Sequence, residues 1–300
     1  MVLLKNNCDP EKVSLVRVRG MEDIQQNIKS GVDAIGGLNL RDDSVVLIKP
    51  NLCCIKPPET GATTDVNVVK GLVDYLRNEF RVSDISIIES DGTQVLADMA
   101  FKLLGYEKLS KKLGVKLVNL SGCPFSVKEF PRNAFLKSVQ VPDVFEKADF
   151  FISVPKIKTH IDISFTCALK NQFGCNPYPR KAKYHHRIDD AIVDLNVIFK
   201  PDLVVVDGIV AMEGFRGPTD GLPIRMNTLI FGRDPVAIDH LVAKVMGLNP
   251  DHISYLVEAQ RRGLGKFSYE VIGPDPREIA RKFRTVRPRL SNFYGIFCKY

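Results

Sequence analysis

The stretch FFISVPKIKTHIDISFTCALKNQFGCNPYPRKAKYHHR, Phe150–Arg187, decides how the chain is read. It opens with the apolar run Phe150–Val154, held between Asp149 and Pro155, which predicts a buried strand. Directly beyond it stand Lys156, Lys158, Thr159 and His160. A helix-like segment then carries Ser164, Cys167, Lys170 and Asn171, and a basic loop follows with Lys181, Lys183, Tyr184, His185 and His186. Ligands of open α/β sheets sit beyond the carboxyl ends of the strands, and this polar cluster falls there. Three of the five histidines lie in the window, so a site is expected here.

Outward from it, strands and helices alternate. Strands are predicted over Val13–Val18, Ser44–Ile48, Ile85–Ile88, Lys116–Leu120, Leu203–Val206, Thr228–Phe231 and Tyr269–Ile272. Helices are predicted over Asp23–Ile35, Asp65 to about Phe80, Val95–Leu104, on to Leu113, Ile188–Phe199, Asp234–Met246, Asp251–Arg262 and Pro276–Phe283. Asp65 and Asp234 suit side-chain caps, and Pro235 suits a first helical position. The expected fold is α/β: a mostly parallel sheet with helices on both faces, in Rossmann-like layers. One unit is expected over residues 1–300, with a small β excursion at about 121–143.

The formal charge of +7 favours an anionic ligand or partner. Part of it is a basic C-terminal stretch: Arg277, Arg281, Lys282, Arg284, Arg287 and Arg289. No nucleic-acid-binding motif accompanies that charge, so nucleic acid is not expected, and a solvated basic face is the simpler reading. No apolar run reaches the ~18–20 residues that span a bilayer and no signal-peptide pattern opens the chain, so the expectation is a cytoplasmic protein without a membrane contact. Seven scattered cysteines draw neither a disulfide framework nor a metal ribbon.

Lys49, Pro50 and Asn51 end a strand, and Lys56, Glu59, Thr60, Thr63 and Thr64 follow in a loop around Gly61. An ammonium among hydroxyl and amide donors suits a phosphate or carboxylate, although the phosphate-loop signature is absent. Lys156 and Lys158 alternate, so at most one shares a pocket with His160, and Lys158 has the matching parity. Lys158 and His160 are therefore read as a proton-transfer pair. Helical spacing would put Cys167, Lys170 and Asn171 on one face, Cys167 being either an activated thiol or a small core residue. Asp207 ends a buried strand before Gly208, and Glu213 and Arg216 follow in a Gly/Pro-rich loop. Either carboxylate could orient a base or a divalent metal, His160, His186 and Asp207 being the candidate ligands, although no spacing is diagnostic of zinc. Each polar residue also has a plainer reading, as a cap, a solvated head or a partner of the backbone.

The runs VLIKPNLCCIKPPETGATT, VPKIKTH, ALKNQFG, KAKYHH, VVVDGIVAMEG and GRDPVAID, in that order over roughly Val45 to Gly247, resemble the domain of unknown function 362 family. Many members carry an appended ferredoxin-like segment with two iron–sulfur clusters. This sequence has no Cys-x-x-Cys-x-x-Cys run, so no intrinsic iron–sulfur cluster is expected, while a redox-linked setting stays open. Two functions are thus carried forward. One is an enzyme acting on a small anionic substrate by Lys/His acid–base chemistry, with Lys49, Lys158 and Lys170 holding the anion; isomerisation or elimination fits better than hydrolysis, since neither G-x-S-x-G nor H-E-x-x-H occurs. The other is an accessory protein whose basic stretch docks a ferredoxin-like partner.

Overall fold

The computed structural model describes residues 11–214 and 216–285. Arg287 and Arg289 of the basic stretch lie outside the described residues. In chain order come β1 (Glu11–Arg17), α1 (Ile24–Ala34), β2 (Val45–Pro50), α2 (Val66–Phe80), β3 (Asp84–Glu89), α3 (Ala97–Leu103), α4 (Tyr106–Leu113) and β4 (Lys116–Asn119). β5 (Phe125–Glu129) and β6 (Ser138–Pro142) form a hairpin, a two-stranded sheet of its own. Then follow α5 (Asp143–Glu146), β7 (Phe150–Val154), β8 (Lys156–His160), β9 (Ser164–Thr166), α6 (Ala168–Asn171), α7 (Ile188–Ile198), β10 (Leu203–Glu213) and β11 (Leu222–Gly232). The chain continues with α8 (Pro235–Val245), α9 (Ser254–Arg261), β12 (Tyr269–Ile272) and α10 (Pro276–Ile279).

The large sheet has the order β12-β1-β11-β10-β7-β2-β3-β4, with β8 and β9 branching from β10. From β10 through β7, β2 and β3 to β4 every pairing is parallel, and β11 runs antiparallel between β1 and β10. Strand side chains alternate between two hydrophobic layers. Ile152, Val154, Leu203 and Val205 pack with α1–α4, while Phe151, Val204 and Val206 pack with α7, α8 and α9. The fold is α/β with helices on both faces of a mostly parallel sheet.

The chain steps from β2 to β3 and β4 on one side, then returns with β7 on the other side of β2. The strand order therefore reverses between β2 and β7, where a crevice opens beyond the carboxyl ends. Lys49 and Asn51 come from the β2 end, and β8 leads out of β7.

Three expectations are corrected. The segment before Cys167 is not helical: β8 and β9 pair antiparallel, with His160 opposite Ser164, and the helix begins only at Ala168. Ile161, Ile163, Phe165 and Thr166 are β-branched or aromatic, types that favour such pairing. Asp207 lies inside a strand, because β10 continues to Glu213 through an irregularity between Gly208 and Val210 and stays paired with β11. At Gly208 an added Cβ would come 2.8 Å from the Thr228 carbonyl oxygen, so glycine permits that approach. The helix over Pro276–Phe283 is only α10, Pro276–Ile279.

Candidate functional site

Lys49 is buried at the end of β2, and its ammonium donates to Glu89 Oε2 at 2.9 Å and to the Pro50 carbonyl at 3.0 Å. Glu89, at the end of β3, also accepts from the backbone N–H groups of Ser90 and Leu52. Gly174 lies against this pair: a Cβ there would meet Lys49 Nζ at 2.7 Å and Glu89 Oε1 at 2.8 Å. Amides tie the strand ends together. Asn171 Nδ2 donates to the Lys49 carbonyl and Ser153 Oγ, and Asn51 Nδ2 donates to Asn171 Oδ1.

The five residues of β8 are all buried, and their alternation separates the two lysines. Lys156 turns to Asp207, 3.1 Å away, where both side chains are almost fully buried. Asp207 accepts in addition from the Asp65 and Ile209 N–H groups. These groups border a small pocket of about 170 Å³ together with Glu59 and Arg225. Lys158 faces the other way, into a cleft of about 510 Å³ at the β2–β7 crevice. Its three protons go to Asn51 Oδ1 at 2.8 Å, the Ala62 carbonyl at 2.8 Å and Cys53 Sγ at 3.1 Å.

Lys49, Lys158, His160, Lys170 and Lys181 line this one cleft, with Cys53, Glu89 and Asp162. Lys170 is set by α6, whose first N–H groups, Ala168 and Leu169, donate to the buried carboxylate of Asp239 at 2.7 and 3.1 Å. Its ammonium lies 3.8 Å over the Phe173 ring centroid. Burial, then the Lys181, Lys158 and Lys49 charges, push Lys170 down to about 7, with Cys53 opposing. Lys181 donates to Ser90 Oγ, and burial followed by Lys49 lowers it to about 8 against the pull of Glu89.

His160 Nδ1 accepts from the Asp162 N–H at 3.1 Å, which leaves the ring proton on Nε2. Burial foremost, with the Lys170, His185 and Lys158 charges, drives its pKa to about 3 despite Asp162, so the ring is neutral at physiological pH. His185 stands at the rim, 3.3 Å from Asp162. Cys53 is pulled down to about 5 by a hydrogen bond from Cys54, with the Lys158 and Lys170 charges assisting, while the Cys54 thiol is pushed up.

Several sequence candidates are corrected in place. Asp207, Lys156 and Glu59 border the small pocket and not the cleft, because β8 alternates. Thr60 and Thr63 bond to loop carbonyls of Pro57 and Lys56, and Thr159 to that of Gly214. Tyr184 packs on Phe173, and His186 packs on Phe135 with Nδ1 2.9 Å from the Lys183 carbonyl oxygen. Glu213 receives the Arg284 N–H, Arg216 pairs with Asp220, and Arg277 of the basic stretch pairs with Asp275. His160, His186 and Asp207 therefore do not converge, and no set of three or more metal-type ligands is gathered among the described residues. Cys167 begins α6 with a non-helical backbone, so the helical spacing does not apply. Its thiol is buried and pushed well above the ordinary range, first by burial and then by Asp239.

Cys53, Glu89, Ser90 and Asp162 belong to the cleft beyond the residues the sequence points to, and Lys181 of the basic loop joins them. Two signals were there to read: Glu89 closes the strand after the one ending in Lys49, and Cys53 stands two residues beyond Asn51.

Among the described residues no helix is long and apolar enough to cross a membrane. The chain is 27% identical over 290 residues to the thylakoid-associated protein sll1697 of Synechocystis sp., covering 90% of this chain and 85% of that protein. Among solved structures it is similar to the lactate racemase apoprotein from Thermoanaerobacterium thermosaccharolyticum, at 12% identity and a TM-score of 0.48. That similarity covers 82% of this chain but spans only 60% of the other. A family model matches residues 46–244, more than half of the sequence, and the chain belongs to the family it describes, domain of unknown function (DUF362).

Proposed function

We propose that the chain is an enzyme that binds a small carboxylate- or phosphate-bearing substrate in the 510 Å³ cleft and moves a proton on it. One observation carries this reading: four lysines, from the end of β2, β8, α6 and the loop before α7, meet in one cleft, and two of them are held well below the ordinary lysine range. The lining carboxylates are Glu89 and Asp162, and Glu89 is already engaged by Lys49. An anion offsets the neighbouring positive charges and favours the charged form of Lys170.

The lysines divide the work. Lys49 and Lys158 are held by acceptors and supply fixed positive charge. Lys181 takes the anionic group. Lys170, titrating near neutrality, takes or returns the proton. Neutral His160 donates Nε2–H to a substrate oxygen, so the histidine acts as a hydrogen-bond donor and the proton carrier is Lys170.

The test incubates the protein in D2O with a panel of small carboxylates and phosphates and follows carbon-bound hydrogens by NMR. Deuterium should enter one C–H position of at least one binding anion and stay out with Lys170→Met. Tight binding without exchange for every anion would overturn proton-transfer chemistry.

A further inference from the structure

We propose that Lys170 condenses with the carbonyl group of a small oxo acid to form an iminium in the cleft. This rests on the anion-binding reading above and narrows it to carbonyl-bearing carboxylates. The four lysines differ in how their ammonium groups are held. Lys49 is bonded to Glu89 and Pro50, Lys158 to Asn51, Ala62 and Cys53, and Lys181 to Ser90. Lys170 has no hydrogen-bond acceptor among the described residues, and its head rests on the apolar face of Phe173. An amine attacks a carbonyl only when unprotonated. Burial and neighbouring ammonium groups are what leave a lysine unprotonated near neutrality, and here they outweigh the attraction of the Phe173 ring for the cation. The groups facing it from the other elements are Lys49, Lys158 and Lys181, which oppose its protonation, Cys53 and Asp162, which favour it, and the neutral ring of His160.

The substrate class follows from the surroundings. The Lys181 ammonium takes the carboxylate, and the Nε2–H of His160 is available to the carbonyl oxygen. The neutral amine adds to the carbonyl carbon. The oxygen then leaves as water, carrying one proton from the Lys170 nitrogen and one from Lys181, which solvent restores. The product is a positively charged C=N bond, and no electrons are exchanged. Positive charge on that nitrogen acidifies the neighbouring C–H, and because Lys170 is then bonded to carbon, the proton passes to solvent water instead of to its amine.

The test uses pyruvate and acetoacetate with sodium cyanoborohydride, followed by intact mass and peptide mapping. The reduced adduct should form on Lys170, with a rate at pH 7 roughly 1,000-fold above that of exposed lysines, because an ordinary lysine is almost fully protonated there. The rate should climb as pH rises through about 7 and then level, and Lys170→Arg should give no adduct. Mapping of the wild-type chain alone identifies the lysine if the variant does not fold. Binding of the oxo acids by calorimetry without an adduct at Lys170, or an adduct spread over surface lysines, overturns the iminium and leaves the anion site standing. Absence of any binding overturns both.

Discussion

Lys158 Nζ stands 3.1 Å from Cys53 Sγ, joining the strand that leaves β7 to the loop that leaves β2 across the floor of the cleft. The hydrogen bond that Cys54 donates to the same sulfur, assisted by this charge pairing, keeps a thiolate at neutral pH. Cys53 should therefore be alkylated by iodoacetamide at a nearly constant rate between pH 6 and 8, well above its lowered value of about 5. With Cys54→Ala and Lys158→Met together the rate should rise with pH over that range, as for an ordinary thiol. Peptide mapping reads it; an unchanged profile in the variant would contradict the pairing.

The Lys49–Glu89 pair is almost fully buried and hydrogen-bonded on both sides. Removal of one partner leaves an uncompensated charge, so Glu89→Ala should cost about 3–5 kcal/mol in urea unfolding. Gly174→Ala should also destabilise, since its new methyl group meets both heads of the pair. Loss of less than about 1 kcal/mol for Glu89→Ala would mean that the ion pair is open to water.

Lys156 and Asp207 are a structural counterpart on the opposite side of β8. Asp207→Asn should lower stability by about 3 kcal/mol and leave anion affinity in the cleft within about twofold. A large loss of affinity in a folded Asp207→Asn protein, measured by calorimetry, would show that the two pockets are coupled.

Acid stability should depend on His160. Its folded value, about 3, lies below the ordinary 6.5, so its contribution is fully present above pH 6.5 and is lost as pH falls toward 3. The difference in unfolding free energy between wild type and His160→Gln should shrink by roughly 2–3 kcal/mol from pH 6.5 to 4.5. A constant difference would indicate that the ring is not held neutral.

How much of this could be read from the sequence depended on whether a residue's partner was near it. The apolar runs at Phe150–Val154 and Leu203–Val206, and the caps at Asp65 and Asp234, declare themselves locally, and strands and helices follow them. The parity of Lys158 with His160 is likewise a local property of β8, and it separates these two from Lys156. The roles of Glu89, Cys53 and Asp239 are set by residues 40 to 105 positions away, and no periodicity announces them. The place of Asp207 is hidden for the same reason: only the pairing of Val210–Glu213 with Leu222–Arg225, and of Met212 with Lys158, shows that the strand continues past Gly208.

The central claim is that the cleft holds a small anion against Lys170 and Lys181. Isothermal titration of oxalate and inorganic phosphate at pH 7.5, in buffers of low and high ionisation enthalpy, tests it most directly. A bound anion stabilises the charged amines, so binding should draw in a fraction of a proton per site, weaken as pH rises beyond about 7, and show a smaller buffer dependence in Lys170→Met and none in Lys170→Met with Lys181→Met. Binding with the same heat in both buffers, or no binding by either anion, would contradict the account.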